Sequence, residues 1–462
     1  MSGNRLLKGI LQILSANILN LFFSVGTAFI LPKFLPVDAY SQIKTYQLYV
    51  TYTAVFHWGY NDGMILKYGG KTMESLELKE LQTDLSTVRI FQGIMTMFCM
   101  LVGILLKDIA LFMAACAVLP MNMIAYFKNL YQAVGELKKY SSILNWTTIL
   151  TFVINIVLVG IIRTDQFAIY LAGYMLINIW IWARLETAFC KTLHTKFIGC
   201  GFSWSILKAN ISSGFLLLTA NLSSMLLTGI DRFFVKGLLT NIDFAQYAFV
   251  ASMENFLNVA VTPLSISLYN YFCGNREEEE IKTAQKLIIS FAAVVISGAF
   301  AVRLVLESVL REYLEASKVL FILFAGHLFM TVIKCLYVNL YKARKQQKKY
   351  SQKLIIVVVM AVIFNVLGFM IYPGKEAFAV GTLVAAVLWF FLCQIDFKDV
   401  RCTMRQYLFL AVEITVFLCC GLLMNAITGA IVYIAVTFFM IGSCMPQVYK
   451  KAFVYIRKWF KY

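Results

Sequence analysis

The thirteen residues from Asn129 to Ser141 read NLYQAVGELKKYS, and those from Asn339 to Ser351 read NLYKARKQQKKYS, identical at eight positions without a gap. The copies stand 210 residues apart, and each directly follows a long apolar segment. The repeating unit is therefore a set of several helices rather than a short stacked module. A second match, offset by 204, aligns Ser15–Gln42 with Thr219–Gln246: Ala16 pairs with Ala220, Asn17 with Asn221, Phe29 with Phe233, Leu35 with Leu239 and Gln42 with Gln246. A chain that contains its own half twice must fold as two related bundles, an arrangement in which the halves can move against each other around a site at their interface.

Those bundles belong in a membrane. Sixty per cent of the residues are hydrophobic and 14% charged, where soluble domains carry roughly 25% charge. Apolar runs of about 20 residues, enough to cross a hydrocarbon layer of roughly 30 Å as helix, recur at 8–31, 40–62, 86–106, 109–128, 143–162, 167–184, 209–230, 243–267, 283–303, 317–341, 353–372, 377–396, 407–425 and 428–447. The expected fold is an all-α polytopic membrane protein of about 14 transmembrane helices. It divides into an N-terminal six-helix bundle (1–184), a cytoplasmic linker (185–208), a C-terminal six-helix bundle (209–400), and two further transmembrane helices with a basic cytoplasmic tail (401–462). The first run resembles a signal peptide, but its match to 209–230 argues for a helix that stays. Most of the 41 Lys and Arg fall on one side of this topology, including Lys67, Lys71, Lys138, Lys139, Lys348, Lys349 and Lys353. The positive-inside rule then puts both termini in the cytoplasm. Short loops and the lack of an added soluble domain favour a bacterial cell membrane.

Several chemistries are disfavoured. The net charge of +17 is spread over the cytoplasmic loops rather than gathered into a nucleic-acid-binding domain. No G-x-x-x-x-G-K-[ST] loop is present to hold ATP, and no G-x-S-x-G elbow. His57, His194 and His327 stand far apart, and the 11 cysteines are scattered through apolar runs, so no metal and no cofactor is expected. The longest external connection, about Arg303–Ala316, is short for a catalytic subdomain, which weighs against an enzyme.

Polar residues within the spans are the candidates for transport. Asn17, Asn20, Ser24 and Thr27 lie on one face of the first span, and Asn221, Ser224, Thr228 and Asp231 repeat that face on the seventh; such stripes either line a polar path or hold helices together. Ionisable groups inside an apolar run cost about 2.5–3.5 kcal/mol on insertion scales and face a cavity or a partner. Glu254, with Asn255 and Asn258 beside it, and Lys334 are the clearest; Lys334 is also placed to snorkel. Asp231 and Arg232 stand where the first copy has Thr27 and Ala28, a feature of one half only, which either meets substrate or anchors the helix at the interface. Lys44 and His57 on the second span are weaker candidates. Glu277–Glu280 reads as a solvated helix start.

Two six-helix halves, two extra C-terminal helices, a basic loop ending in KKYS after the fourth span and Asp231–Arg232 after the seventh together resemble the Wzx-type oligosaccharide flippases, a polysaccharide branch of the multidrug/oligosaccharidyl-lipid/polysaccharide exporter superfamily. The resemblance covers nearly the whole chain on diffuse motifs. It implies movement of a polyprenyl-diphosphate-linked oligosaccharide from the inner to the outer leaflet by alternating access, for cell-surface polysaccharide synthesis. In this sequence Arg232, Lys334 and Lys44 would meet the diphosphate, Asn17, Asn20, Asn221, Asn255 and Asn258 the sugars or headgroup, and Asp231 and Glu254 would carry a coupling H+ or Na+. Membrane lipids, and a polysaccharide polymerase and glycosyltransferases, are the implied partners, with no nucleic acid. A drug antiporter of the same superfamily, commonly twelve-helical, and a glycan polymerase are the alternatives.

Overall fold

A computed structural model describes the backbone of residues 3–192, 195, 199, 201–274 and 277–448, with the side chains of all of these except 3–18, 220, 255 and 270. Among them there are helices and turns and no strand. In chain order the helices are α1 (Gly3–Phe34), α2 (Val37–Thr51), α3 (Tyr60–Tyr68), α4 (Leu78–Leu106), α5 (Ile109–Ala133), α6 (Leu137–Ile156), α7 (Phe167–Thr192), α8 (Trp204–Leu227), α9 (Ile230–Leu238), α10 (Asn241–Phe272), α11 (Glu278–Ile296), α12 (Gly298–Ser308), α13 (Ser317–Val332), α14 (Val338–Ala343), α15 (Gln347–Ile371), α16 (Lys375–Asp396), α17 (Met404–Leu423) and α18 (Ala426–Cys444). Eleven helical stretches among the described residues are long and apolar enough to cross a membrane, so the chain is a multi-pass membrane protein. The other three expected spans fall on α1, on the α2–α3 pair and on α10.

The chain forms two compact units, Met1–Leu222 and Ser223–Tyr462. In the first, α5 packs against α2, α3, α4, α6 and α7; in the second, α13 packs against α10, α11, α16 and α17. Within the continuous stretch Arg311–Ala343, the most apolar part is 89% buried. The duplicated NLY motif leaves the end of this central helix in both units, at Asn129 and Asn339. Residues 185–192 continue α7 and 204–208 begin α8, so helix occupies both ends of the expected linker.

Two spans that read as continuous apolar runs are interrupted. The run 40–62 stops at Thr51, passes through a tight turn at Thr53–His57 and resumes at Tyr60. Trp58 (φ 48°) and Gly59 (φ 88°) turn the chain there through the left-handed region, which costs little only for glycine. The Gly59 amide donates to His57 Nδ1 at 3.0 Å, so His57 holds the break. Glycine is also required by close approach: a Cβ on Gly214 of α8 would lie 2.0 Å from the Gly59 carbonyl oxygen and 2.3 Å from the Gly63 nitrogen. The run 209–230 is broken at Thr228–Gly229, and α9 starts afresh at Ile230. A continuous helical face carrying Asn221, Ser224, Thr228 and Asp231 therefore does not form. Broken helices free backbone groups at membrane depth and mark the places where transporters build sites.

Candidate functional site

The break after α8 opens into a buried cavity of about 90 Å³ in the second unit, lined by Thr228, Arg232, Glu254, Asn258, His327, Lys334 and Thr382 among others. Helical periodicity delivers these side chains. Glu254 and Asn258 are four apart on α10, and His327 and Lys334 are seven apart on one face of the central helix. Lys334 lies in a widened, π-helical turn at Ile333–Tyr337, an irregularity that often marks functional positions. Its amine donates to Asn258 Oδ1 at 2.9 Å, and its carbonyl accepts from Ser265 Oγ at 3.1 Å. Glu254 Oε1 stands 3.5 Å from His327 Nε2, and no Lys or Arg reaches ion-pair distance of Glu254 among the described residues.

Asp231 and Arg232, adjacent in sequence, do different things. Asp231 is buried and fully engaged: Tyr247 donates to Oδ2 at 2.6 Å, Thr382 to the same oxygen at 3.0 Å, and the Arg232 amide to Oδ1 at 2.8 Å. Arg232 faces the cavity. One guanidinium nitrogen bonds the Thr228 carbonyl across the helix break at 3.2 Å, while its buried Nε has no partner among the described residues. His327 Nδ1 is likewise buried and without a partner among them. Orphaned donors and unneutralised charge in a buried place cost a few kcal/mol. A cavity that keeps them is built to meet something polar.

The remaining candidates stand elsewhere. Lys44 donates to Gln47 at 3.0 Å and lies 5.3 Å above the Tyr40 ring in the first unit. Asn20 Oδ1 is buried with no partner among the described residues. Asn221 reaches Asp62 at 3.5 Å on an exposed surface. The side chains of Asn17 and Asn255 lie outside the described residues. The first unit has its own buried polar centre around Asp84, which accepts from Tyr60, from Asn210 at 2.9 Å and from Tyr126 at 3.4 Å. Nearby, Asn122 bonds Gln92 at 2.7 Å and the Thr53 carbonyl at 3.1 Å. With both carboxylate oxygens of Asp84 met by neutral donors from three elements, this centre reads as packing for the broken α2–α3 hairpin.

No family model matches the sequence, and no curated protein matches it. Solved structures do. A structure of "Lipid II flippase MurJ, inward closed conformation" superposes with a TM-score of 0.70 at 11% identity, covering 97% of this chain and 100% of that one. This chain has the MurJ fold. A chain titled "protein A" matches with a TM-score of 0.50 at 13% identity over 85% of this chain and 93% of its own. An outward-facing MATE family transporter of the MOP superfamily reaches 0.48 at 11% identity, over 85% and 96%. The expected all-helical membrane fold is thus matched by a solved structure, and the likeness is one of fold alone. At 11% identity the MurJ fold carries no residue from one chain to the other, and the chemistry rests on the cavity.

Sequence reasoning singled out five of the polar lining residues, Thr228, Arg232, Glu254, Asn258 and Lys334, and passed over two. Thr382 carried no signal, being one hydroxyl in an apolar run. His327 was weighed only as a metal ligand, although its spacing of seven from Lys334 puts both on one helical face.

Proposed function

We propose that this protein is a flippase that moves a polyprenyl-diphosphate-linked oligosaccharide from the inner to the outer leaflet of a bacterial cell membrane, supplying cell-surface polysaccharide synthesis. The observation that carries the reading is the buried cavity of the second unit, where Arg232 and Lys334 reach no carboxylate at ion-pair distance among the described residues and Arg232 keeps a donor without a partner among them. Guanidinium donors suit phosphate oxygens in geometry and charge. The MurJ fold supports the same reading, since that neighbour is titled a flippase of lipid II.

The physical problem fits. Sugars and phosphates cannot enter hydrocarbon without losing their water, so the headgroup needs a polar chamber while its lipid tail stays in the bilayer. A cavity of about 90 Å³ has room for water but not for an oligosaccharide. The glycan therefore requires the cavity to widen during alternating access. Arg232 and Lys334 hold the diphosphate; Asn258 and Thr382 are the neutral partners. Glu254, which has His327 as its ion-pair-range neighbour, takes up a coupling cation or proton as the anionic headgroup leaves. No bond is made or broken.

The test is a proteoliposome assay with purified protein and a fluorescent polyprenyl-diphosphate oligosaccharide, following how fast the glycan becomes accessible to an external probe. Protein-dependent movement without ATP is expected. No movement by folded protein, with H+ or Na+ gradients applied in either direction, would reject the flippase reading in favour of another substrate.

A further inference from the structure

A second, larger groove of about 400 Å³ lies in the first unit between α6 and α7, at the end where the basic KKYS motif begins α6. Its walls combine Lys138, Lys139 and Arg184 with Trp146, Trp180 and Ile143. Arg184 is exposed, and its charged end is held over aromatic rings. Its guanidinium sits 5.8 Å from the Trp146 ring and 5.5 Å from that of Trp180, and the two rings meet edge to face at 6.0 Å. A cation shared by two indole rings is held in place without being neutralised. Both tryptophans remain exposed, at 42% and 45%, on helices whose outer faces are apolar. The groove is therefore a charged end with an aromatic slot leading away from it.

The duplication shows what such a groove lacks. In the second copy Tyr341 and Lys353 occupy the positions of Tyr131 and Ile143, and both turn to one internal carboxylate: Tyr341 donates to Asp396 at 2.6 Å, and Lys353 lies 3.4 Å from its other oxygen. The second copy thus carries its own anion. In the first copy Glu186, the acid of the neighbouring helix, is taken by Arg89, and Glu136 pairs with Lys139, at 3.7 Å. Arg184 and Lys138 have no ion pair among the described residues. At the position of Trp146 the second copy has Ile356, so the aromatic slot belongs to the first copy alone.

The geometry points to a binding site for one anionic phospholipid of the adjacent leaflet, its phosphate between Lys138 and Arg184 and an acyl chain along Trp146, Trp180 and Ile143. Basic pockets between membrane helices take lipid headgroups in this way, and the aromatic rings sit where chain and headgroup meet. The site lies within the first unit and does not depend on which substrate the second unit's cavity accepts.

Tryptophan quenching by bromine-labelled lipids reads occupancy of this slot directly. The purified full chain would be reconstituted with dibromo-phosphatidylglycerol or dibromo-phosphatidylcholine at rising mole fraction. Phosphatidylglycerol is expected to quench at roughly 30-fold lower mole fraction, taking about 1 kcal/mol for each of Lys138 and Arg184. The Trp146→Phe/Trp180→Phe variant should lose that preferential component, and Lys138→Gln/Arg184→Gln should abolish the preference. Lys348→Gln/Lys349→Gln, which removes the same charge from the second copy, should keep it. Equal quenching by both lipids in the wild type, or an equal loss in both double charge variants, would overturn the site in favour of diffuse surface attraction. Displacement of the brominated phosphatidylglycerol by equimolar polyprenyl diphosphate would reassign the groove to the transported lipid.

Discussion

Replacing Arg232 with Gln separates a substrate-binding cation from a structural one, because the first role predicts a loss of transport at nearly constant stability and the second a loss of both. Among the described residues the side chain makes one hydrogen bond, to the Thr228 carbonyl at 3.2 Å, worth about 1 kcal/mol net. Against this stands the cost of keeping a guanidinium in a buried cavity with no carboxylate partner and an unused Nε, a cost that glutamine relieves. The two offset each other, so folding stability should change by less than about 1 kcal/mol and the melting temperature by less than about 4 °C. Transport should behave differently. A hydrogen bond to a charged group contributes about 1.5–3 kcal/mol, so losing one to the diphosphate should slow flipping roughly 10- to 150-fold at 1.4 kcal/mol per decade. Arg232→Lys, which keeps the charge but not the forked donors, should fall between. The assay pairs proteoliposome flipping rates with thermal denaturation in the same detergent. A rate within twofold of wild type would refute the role assigned to Arg232, and so would a fall in activity that simply tracks a large fall in melting temperature.

Lys334→Ala removes the second cation and leaves Asn258 without its donor; flipping should drop about tenfold, and full activity together with full activity of Glu254→Gln would show that this cavity is not on the substrate path. Gly214→Ala forces a Cβ to within 2.0 Å of the Gly59 carbonyl, a backbone contact that cannot rotate away, so it should destabilise by about 3 kcal/mol or more; an unchanged denaturation midpoint would mean that the crossing is looser than described. The bidentate Arg344–Asp399 pair, at 2.5 and 3.3 Å outside the spans, holds the Asp399 carboxyl below its usual value, chiefly through the hydrogen bond from Arg344. A depressed folded-state pKa adds stability above the unfolded value that is lost as pH falls through the folded one. The stability gap between wild type and Asp399→Asn should therefore be present at neutral pH and close below the ordinary carboxylate range; a gap that widens on acidification would contradict the pairing.

Reading the chain as a string recovered some parts of this molecule and missed others for identifiable reasons. Glu254 and Lys334 stood out because a charge inside an apolar run is expensive wherever the run folds. Asp84 did not. Hydropathy places that span at 86–106, since Lys79 and Glu80 dilute its first turns, yet α4 begins at Leu78, and Asp84 is buried by Tyr60, Tyr126 and Asn210. The interruptions at Trp58–Gly59 and Thr228–Gly229 were also hidden, because apolar composition measures affinity for the bilayer and is nearly blind to backbone direction. The glycines at 59, 63 and 214 hinted at a close crossing, but only their spatial meeting shows which backbones approach.

The duplication, the membrane class and the polar residues worth suspecting are properties of the string. They depend on repetition, transfer free energy and helical period, all of which act locally. The joining of Arg232, Glu254, His327, Lys334 and Thr382 around one cavity, the neutral bonding of Asp231, and the different fates of the two KKYS copies are decided by packing. Each needs helices far apart in sequence to meet at one depth and rotation, and the energy that selects those meetings is shared over many contacts that no single segment encodes.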